Sequence, residues 1–214
     1  MKNNQIGRSM IEMLGVLAII AVLSVGGIVG YGKAMRMWQA NIQKQMIEEL
    51  LHSMIEVRSQ FQEREEEIDV TPILAAMGHT PEGAVFDGRY FIDKKGNKMK
   101  VIYGVPTYQN PDGTSYKGSF LYALHFYSFT RKAKILDLSL QDYCVSLVEA
   151  AKSMGDEFIY TYYGTYGENG RMYELFTYNS LKKATLSDIQ SKCRITLEEK
   201  ETGFSHFTTH IKPY

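Results

Sequence analysis

The sequence predicts an α+β protein in which a long N-terminal helix, first transmembrane and then amphipathic, packs on a largely antiparallel β-sheet head. Residues 13–29 carry no charge. Apolar residues then recur at steps of three and four through residue 61, which is the period of a helix. Beyond residue 68, short alternating runs are separated by turn residues, which is typical of strands. The 214 residues suffice for one head domain and one extra element.

The uncharged run is the least ordinary stretch of the chain. Its 17 residues are apolar on every face of a helix, and at the helical rise they cover about 25 Å, enough to enter or span a bilayer. A cleaved secretory signal is one interpretation, which Lys2 favours and the lack of an Ala-x-Ala pattern opposes. A plain transmembrane anchor is a second. The residues before the run favour a third.

Those preceding residues form an ordered pattern: a short polar leader, Gly7, Arg8, Glu12 and only then the apolar run. This order resembles the N-terminal motif of type IV prepilins. The resemblance implies that an inner-membrane prepilin peptidase cuts between Gly7 and Arg8, that Arg8 is methylated, and that the apolar helix stays in the mature protein. The motif also implies a cytoplasmic N-terminus.

Glu12 falls at the fifth mature position, where the family has its glutamate. A charged group costs about 2 to 3 kcal/mol at mid-bilayer and less near the interface, so an acidic residue here is a functional candidate. The resemblance implies that Glu12 pairs with the amino terminus of a neighbouring subunit and sets the subunit register. The alternative is an interfacial carboxylate that reaches out to water.

The sequence departs from the family at two places. The first mature residue of the family is usually apolar, often Phe or Met, whereas here it would be Arg8, which stands at i, i+4 to Glu12 and allows an internal ion pair. Many pilins carry a proline where this chain has Val29. Glycines flank that position and can loosen the helix there: Gly26, Gly27, Gly30 and Gly32.

We predict three segments: a prepilin leader at 1–7, a long helix at 8–67 with about 10–31 transmembrane, and a globular C-terminal head at 68–214. An apolar stripe continues the helix beyond the membrane run and favours packing on a sheet; a coiled-coil linker is the alternative. The stripe comprises Met35, Trp38, Ile42, Met46, Leu50, Met54, Val57 and Phe61.

Within the head, Thr71-Pro72 predicts a short helix through Met77, ended by Gly78. The remaining pattern predicts hairpins and longer strands. These are paired strands at 89–93 and 98–103, a strand at 120–129, paired strands at 158–163 and 172–177, and a last strand at 204–211, with a turn at 110–113.

Two cysteines, Cys144 and Cys193, have 48 residues between them and favour an oxidising compartment. Ser139 with Asp142, and Thr185 with Asp188, predict helix starts, which would put each cysteine on a short helix. Two unrelated buried thiols are one interpretation. The resemblance to pilins, which commonly tie down a C-terminal region, implies a disulfide, worth roughly 4 kcal/mol in the chain-entropy model.

No catalytic, cofactor or metal site is predicted, and the protein is expected not to be an enzyme. The five histidines are dispersed, and His206 with His210 lacks a third ligand at a recognisable spacing. The glycine-rich residues 164–170 predict a turn, since no Lys-Ser or Lys-Thr follows. Zero net charge and scattered basic residues predict no nucleic-acid partner. Four tyrosines lie within residues 160–166. They form either an adhesive surface or part of the packing of a strand face.

We therefore expect a structural subunit, major or minor, of a type IV pilus or pilus-like filament. Its expected partners are copies of itself or other pilins, the prepilin peptidase, the inner membrane and the pilus assembly platform. Its expected location is the bacterial inner membrane as precursor and then an extracellular filament. One alternative is a type II secretion pseudopilin, although major pseudopilins often carry clustered Asp at a calcium site and no disulfide. Another is a membrane-anchored binding or adhesion module that uses the pilin export route.

Overall fold

A computed structural model describes residues 5–61, 66–104, 107–109, 115–117, 120–127, 138–165, 172–194 and 205–211. The chain divides into two units, Met1–Asn41 and Ile42–Tyr214. Helix α1 (Gln5–Val57) contributes residues to both, and a 3₁₀ turn (Arg58–Phe61) follows it. The helix therefore ends ten residues before the predicted boundary at 67. Residues 62–65 of that predicted helix lie outside the described part of the chain.

The second unit is an antiparallel sheet with helices, so the predicted α+β class is confirmed. The helices are α2 (Thr71–Ala76), α3 (Leu138–Ser153), α4 (Tyr178–Lys183) and α5 (Leu186–Lys192), and a 3₁₀ turn (Gly155–Glu157) follows α3. The strands are β1 (Ile68–Asp69), β2 (Val85–Phe86), β3 (Phe91–Ile92), β4 (Lys98–Gly104), β5 (Thr107–Gln109), β6 (Ser115–Lys117), β7 (Phe120–Tyr127), β8 (Phe158–Thr165), β9 (Met172–Thr177) and β10 (Ser205–Ile211).

Within the described residues, the main sheet has eight strands, and the last of them in sequence lies near its centre. Its order is β2-β3-β4-β7-β10-β8-β9, with β1 also paired to β4, while β5 and β6 form a separate hairpin. Strand β10 pairs antiparallel with both β7 and β8, so that Phe207 lies opposite His125 and Thr209 opposite Ala123. Strand β10 therefore joins β7 to β8, and the main sheet is continuous only when this C-terminal strand is in place.

The core contains side chains from α1, α3 and the central strands. Strand β10 is buried on both faces: Phe207, Thr209 and Ile211 are fully buried, and Thr208 and His210 between them are at most 6% exposed. Helix α3 contributes a wide apolar face because its interior residues are buried on successive turns. The α3 and α1 members of this core are Leu140, Tyr143, Cys144, Leu147, Val148, Ala150, Ala151, Met46, Ile47, Leu50, Leu51, Met54 and Val57.

The predicted apolar stripe of α1 divides into two parts. Its members from Met46 onward are buried in the head, but Trp38 and Ile42 are exposed. The core face is wider than the stripe, because Ile47 and Leu51 are buried as well. A three-to-four residue period marks an apolar face without specifying which neighbour covers it.

Most predicted elements of the head are confirmed. Helix α2 has Pro72 in its first turn, and Gly78 behind it has a φ of +86°, which glycine adopts without steric cost. The two predicted hairpins are β3–β4 and β8–β9. The capping box at Thr185 and Asp188 is present, whereas α3 already begins at Leu138 and contains Ser139. The predicted turn at 110–113 and the loop at 166–170 lie outside the described residues.

Candidate membrane and assembly helix

The apolar run of α1 is exposed throughout. Within the first unit, every residue from 12 to 34 is exposed, and Leu17, for example, is 59% exposed. A Cβ placed on Gly15, Gly26, Gly27 or Gly30 would meet no atom within 4 Å apart from the adjacent backbone of its own helix. Each Å² of apolar surface left in water costs about 25 cal/mol, so such a helix requires lipid or protein around it. By length and composition it suffices to cross a membrane.

The predicted processing residues lie on this helix. Gly7 and Arg8 are within α1, five and four residues before Glu12. The side chain of Arg8 is outside the described part of the structure, so its ion pair with Glu12 stays a prediction. Glu12 is exposed and is the only acidic residue in the sequence between residues 5 and 47. Glu12 is therefore the one acidic side chain that the sequence places at the start of the apolar run.

In the second unit the same helix has the opposite environment. Met46, Ile47, Leu50, Leu51 and Met54 are at most 4% exposed. Burying each such side chain stabilises a fold by about 1.5 to 3 kcal/mol relative to leaving it exposed. One continuous helix thus carries an uncovered apolar segment and a segment that forms the core of the head.

Polar contacts hold the head half of α1 in the head. The backbone N–H of Glu82 donates to Glu49 Oε2 at 2.6 Å. His79 Nδ1 lies 3.6 Å from Glu56 Oε2. Beyond the helix, Arg58 donates to the Glu157 carboxylate through its two terminal guanidinium nitrogens, Nη1 and Nη2. These contacts connect α1 and its final turn to loops that are 23 to 99 residues away in sequence.

The disulfide is present between Cys144 on α3 and Cys193 at the end of α5, so the predicted bond is confirmed. The two Cα atoms are 5.6 Å apart, and both residues are fully buried. Two lysines reinforce the same region: Lys152 Nζ donates to the Ala184 carbonyl at 2.6 Å, and Lys192 Nζ donates to the Leu175 carbonyl. The sequence did not single out these lysines, although Lys152 and Lys192 each lie in the last turn of a helix.

The sequence did not predict that two histidines, His125 and His210, are buried in the head. His125 is fully buried with Nδ1 3.1 Å from the Tyr143 hydroxyl, and His210 stacks on Tyr122 with ring centroids 5.2 Å apart. Burial lowers the pKa of each imidazole to about 3, because the charged form loses its hydration. Both are neutral at physiological pH. The alternation of β7, which places His125 on the face of Ala123, was the available signal for His125, whereas His210 lies on the face of β10 opposite Phe207 and had none.

The remaining sequence candidates are not brought together. The side chain of His206 lies outside the described residues, as do those of Tyr160, Tyr162 and Tyr163 and all of Tyr166. Among the described residues, no group of three or more His, Cys, Asp or Glu side chains is placed to hold a metal ion. The adhesive surface and the expected lack of a metal site stay predictions.

Fold and site together define a class: an α+β protein with an exposed, membrane-type N-terminal helix and a disulfide-bonded antiparallel head. This combination is compatible with membrane anchoring and with a pilin-like fold. No protein family, no curated protein and no solved structure matches the chain.

Proposed function

We propose that this chain is a structural subunit, major or minor, of a type IV pilus or pilus-like filament, and that its role is mechanical rather than catalytic. The observation that carries the proposal is the division of α1. Its apolar segment starts at the single acid Glu12 and is exposed on all sides, while its next segment is built into the head. The order of Gly7, Arg8 and Glu12 adds the prepilin-type motif.

The uncovered segment suits a subunit that exchanges lipid for protein. Lipid chains and apolar side chains solvate such a helix almost equally well, so association in the membrane depends on packing and polar pairs rather than on the hydrophobic effect. After cleavage before Arg8, the new α-amino group lies four residues from Glu12. Its pairing with Glu12 of a neighbouring subunit would neutralise two charges in an apolar setting, where opposite charges attract strongly.

The first test is the N-terminus of the mature protein. The full chain is co-expressed with a prepilin peptidase and the pilus assembly platform, surface material is sheared from the cells, and its intact mass and N-terminal sequence are determined. We expect a start at methylated Arg8 in the sheared fraction. A start at Met1, or downstream of Val29, contradicts the proposal and favours a plain anchor or a released domain.

Matched glycine variants separate processing from general damage to the helix. Gly7→Leu is expected to block cleavage, because the peptidase of this family cuts after glycine. Gly15→Ala is the control, since a Cβ there meets nothing within 4 Å apart from the adjacent backbone of its own helix, and alanine is the better helix former. Equal cleavage of the two variants would contradict recognition at Gly7.

A second pair of variants tests assembly separately. Glu12→Gln keeps the shape of the side chain and removes its charge, so we expect normal cleavage but loss of sheared filaments. Glu48→Gln is the control, because Glu48 lies in a partly exposed i, i+4 pair with Lys44. Cleaved wild-type protein that stays entirely in the membrane fraction would instead favour a membrane-anchored binding module.

A further inference from the structure

A second feature of the first unit lies just beyond the apolar run. Tyr31 and Trp38 are 67% and 59% exposed, and the basic residues Lys33 and Arg36 between them are exposed as well. Tyr31 and Trp38 stand at i, i+7, on one face of the helix, and Lys33 and Arg36 at i, i+3. We refer to these four residues as the collar.

The distance along the helix from Glu12 to the collar matches a bilayer. Nineteen residues separate Glu12 from Tyr31, or about 28 Å, against about 30 Å for a hydrocarbon core. Twenty-six residues separate Glu12 from Trp38, or about 39 Å, against about 40 to 45 Å with both headgroup layers. Helical side chains tilt toward the N-terminus, so the Trp38 ring leans back toward the apolar run.

The chemistry of the collar suits a headgroup layer. Tyrosine and tryptophan combine a large apolar ring with one polar atom, and they concentrate where hydrocarbon meets water. Lysine and arginine bury their stems in apolar surroundings and place their charge at lipid phosphates. A second copy of the same segment is a poor complement, because residues 13–47 contain no acid in the sequence and parallel collars in register would place like charges together.

We infer that the collar binds the phosphate and glycerol layer of the membrane surface opposite Glu12, and so sets how deep the helix sits in the bilayer. The ligand class is the phospholipid headgroup, preferably anionic. The inference rests on the membrane insertion contained in the proposed function and is independent of filament assembly. A helix that slid toward the N-terminal side would carry the charges of Lys33 and Arg36 into hydrocarbon.

The chain provides its own probe, because Trp38 is its single tryptophan. The full chain is reconstituted into phosphatidylcholine vesicles, with and without phosphatidylglycerol, that contain lipids brominated at a shallow or a deep acyl position. We expect a blue-shifted Trp38 emission that shallow bromines quench more than deep ones. Added phosphatidylglycerol should strengthen the shallow quenching, and high salt should reverse that gain.

Charge-removing variants test the role of the two basic residues. Lys33→Gln/Arg36→Gln should lose the response to phosphatidylglycerol and to salt. Lys94→Gln/Lys95→Gln removes two exposed charges from the β3–β4 hairpin of the head, and we expect it to behave as wild type. Equal responses from the two double variants would overturn the inference.

Four other outcomes would overturn it as well. Deep quenching would place Trp38 in hydrocarbon, and full access to aqueous iodide would place it outside the membrane. Emission that is blue-shifted but insensitive to brominated lipid, and that depends on the protein-to-lipid ratio, would assign the collar to contacts between copies. Protein that does not float with the vesicles would refute membrane insertion, and with it the proposed function; each of the other results leaves that function standing.

Discussion

His125 on β7 and Tyr143 on α3 form a hydrogen-bonded pair in the core of the head, with 3.1 Å between Nδ1 and the hydroxyl oxygen and both side chains fully buried. Nε2 of His125 has no hydrogen-bond partner within the described residues. A protonated imidazole carries an N–H on both nitrogens. Protonation of His125 would therefore bury a charge and leave a donor unsatisfied.

Acid should destabilise the head through His125 and His210. A histidine in the unfolded chain has a pKa of about 6.5, whereas burial lowers the pKa of these two to about 3. Between those pH values the unfolded state binds more protons than the folded state. The free energy of unfolding therefore has its full value above pH 6.5 and decreases as the pH falls toward 3. We expect a loss of about 2 kcal/mol per histidine at pH 5.

The pH dependence is measured from urea-unfolding midpoints of the full chain in neutral detergent, followed by near-ultraviolet circular dichroism. His125→Gln removes one titrating group and should flatten the slope between pH 7 and pH 5 by about half. His52→Gln, at an exposed position on α1, is the control and should leave the slope unchanged. An unchanged slope in His125→Gln would mean that this imidazole does not stay neutral in the folded head.

The disulfide should account for a large part of the stability of the head. The bond closes a loop with a sequence separation of 49, so Cys144→Ser/Cys193→Ser is expected to lower the free energy of unfolding by roughly 4 kcal/mol. Reductant should have the same effect on the wild type and none on the double variant. If reductant leaves the wild-type urea midpoint in place while freeing both thiols, the bond is not stabilising.

The sequence predicts the elements of this fold better than their contacts. The stop at Gly78, the hairpin of β3 and β4 and the capping box at Thr185 are encoded within a few residues, and all three are present. Local patterns of that kind depend on backbone conformation and on short-range hydrogen bonds, which a single sequence displays directly.

Contacts between distant segments were not accessible in the same way. The insertion of β10 between β7 and β8 joins residues about 40 to 90 positions apart, and nothing in its alternation specifies those neighbours. The burial of His125 and the pairing of Arg58 with Glu157 depend on that arrangement. The candidate site, by contrast, can be located from the sequence alone, since Gly7, Arg8 and Glu12 form a local motif.

The Arg58–Glu157 pair should stabilise the junction at which α1 ends. The Arg58 side chain is 14% exposed and that of Glu157 39%, so solvent screens the pair only in part. We expect a coupling free energy of about 1 kcal/mol, which is at the upper end of the range for surface ion pairs. A double-mutant cycle with Arg58→Gln and Glu157→Gln measures it from urea unfolding. Strictly additive effects of the two variants would show that the contact contributes no coupling.

The two segments of α1 should respond differently to the same truncation. Leu50 is fully buried in the head, whereas Leu17 is 59% exposed in the apolar run. Leu50→Ala removes buried methyl groups and leaves a cavity, so we expect it to lower the free energy of unfolding of the head by about 2 to 5 kcal/mol. Leu17→Ala makes the same chemical change and should leave that value within about 0.5 kcal/mol of wild type. Urea unfolding in neutral detergent compares the two variants, and equal losses would mean that the stability of the head depends on the apolar run as much as on its own core.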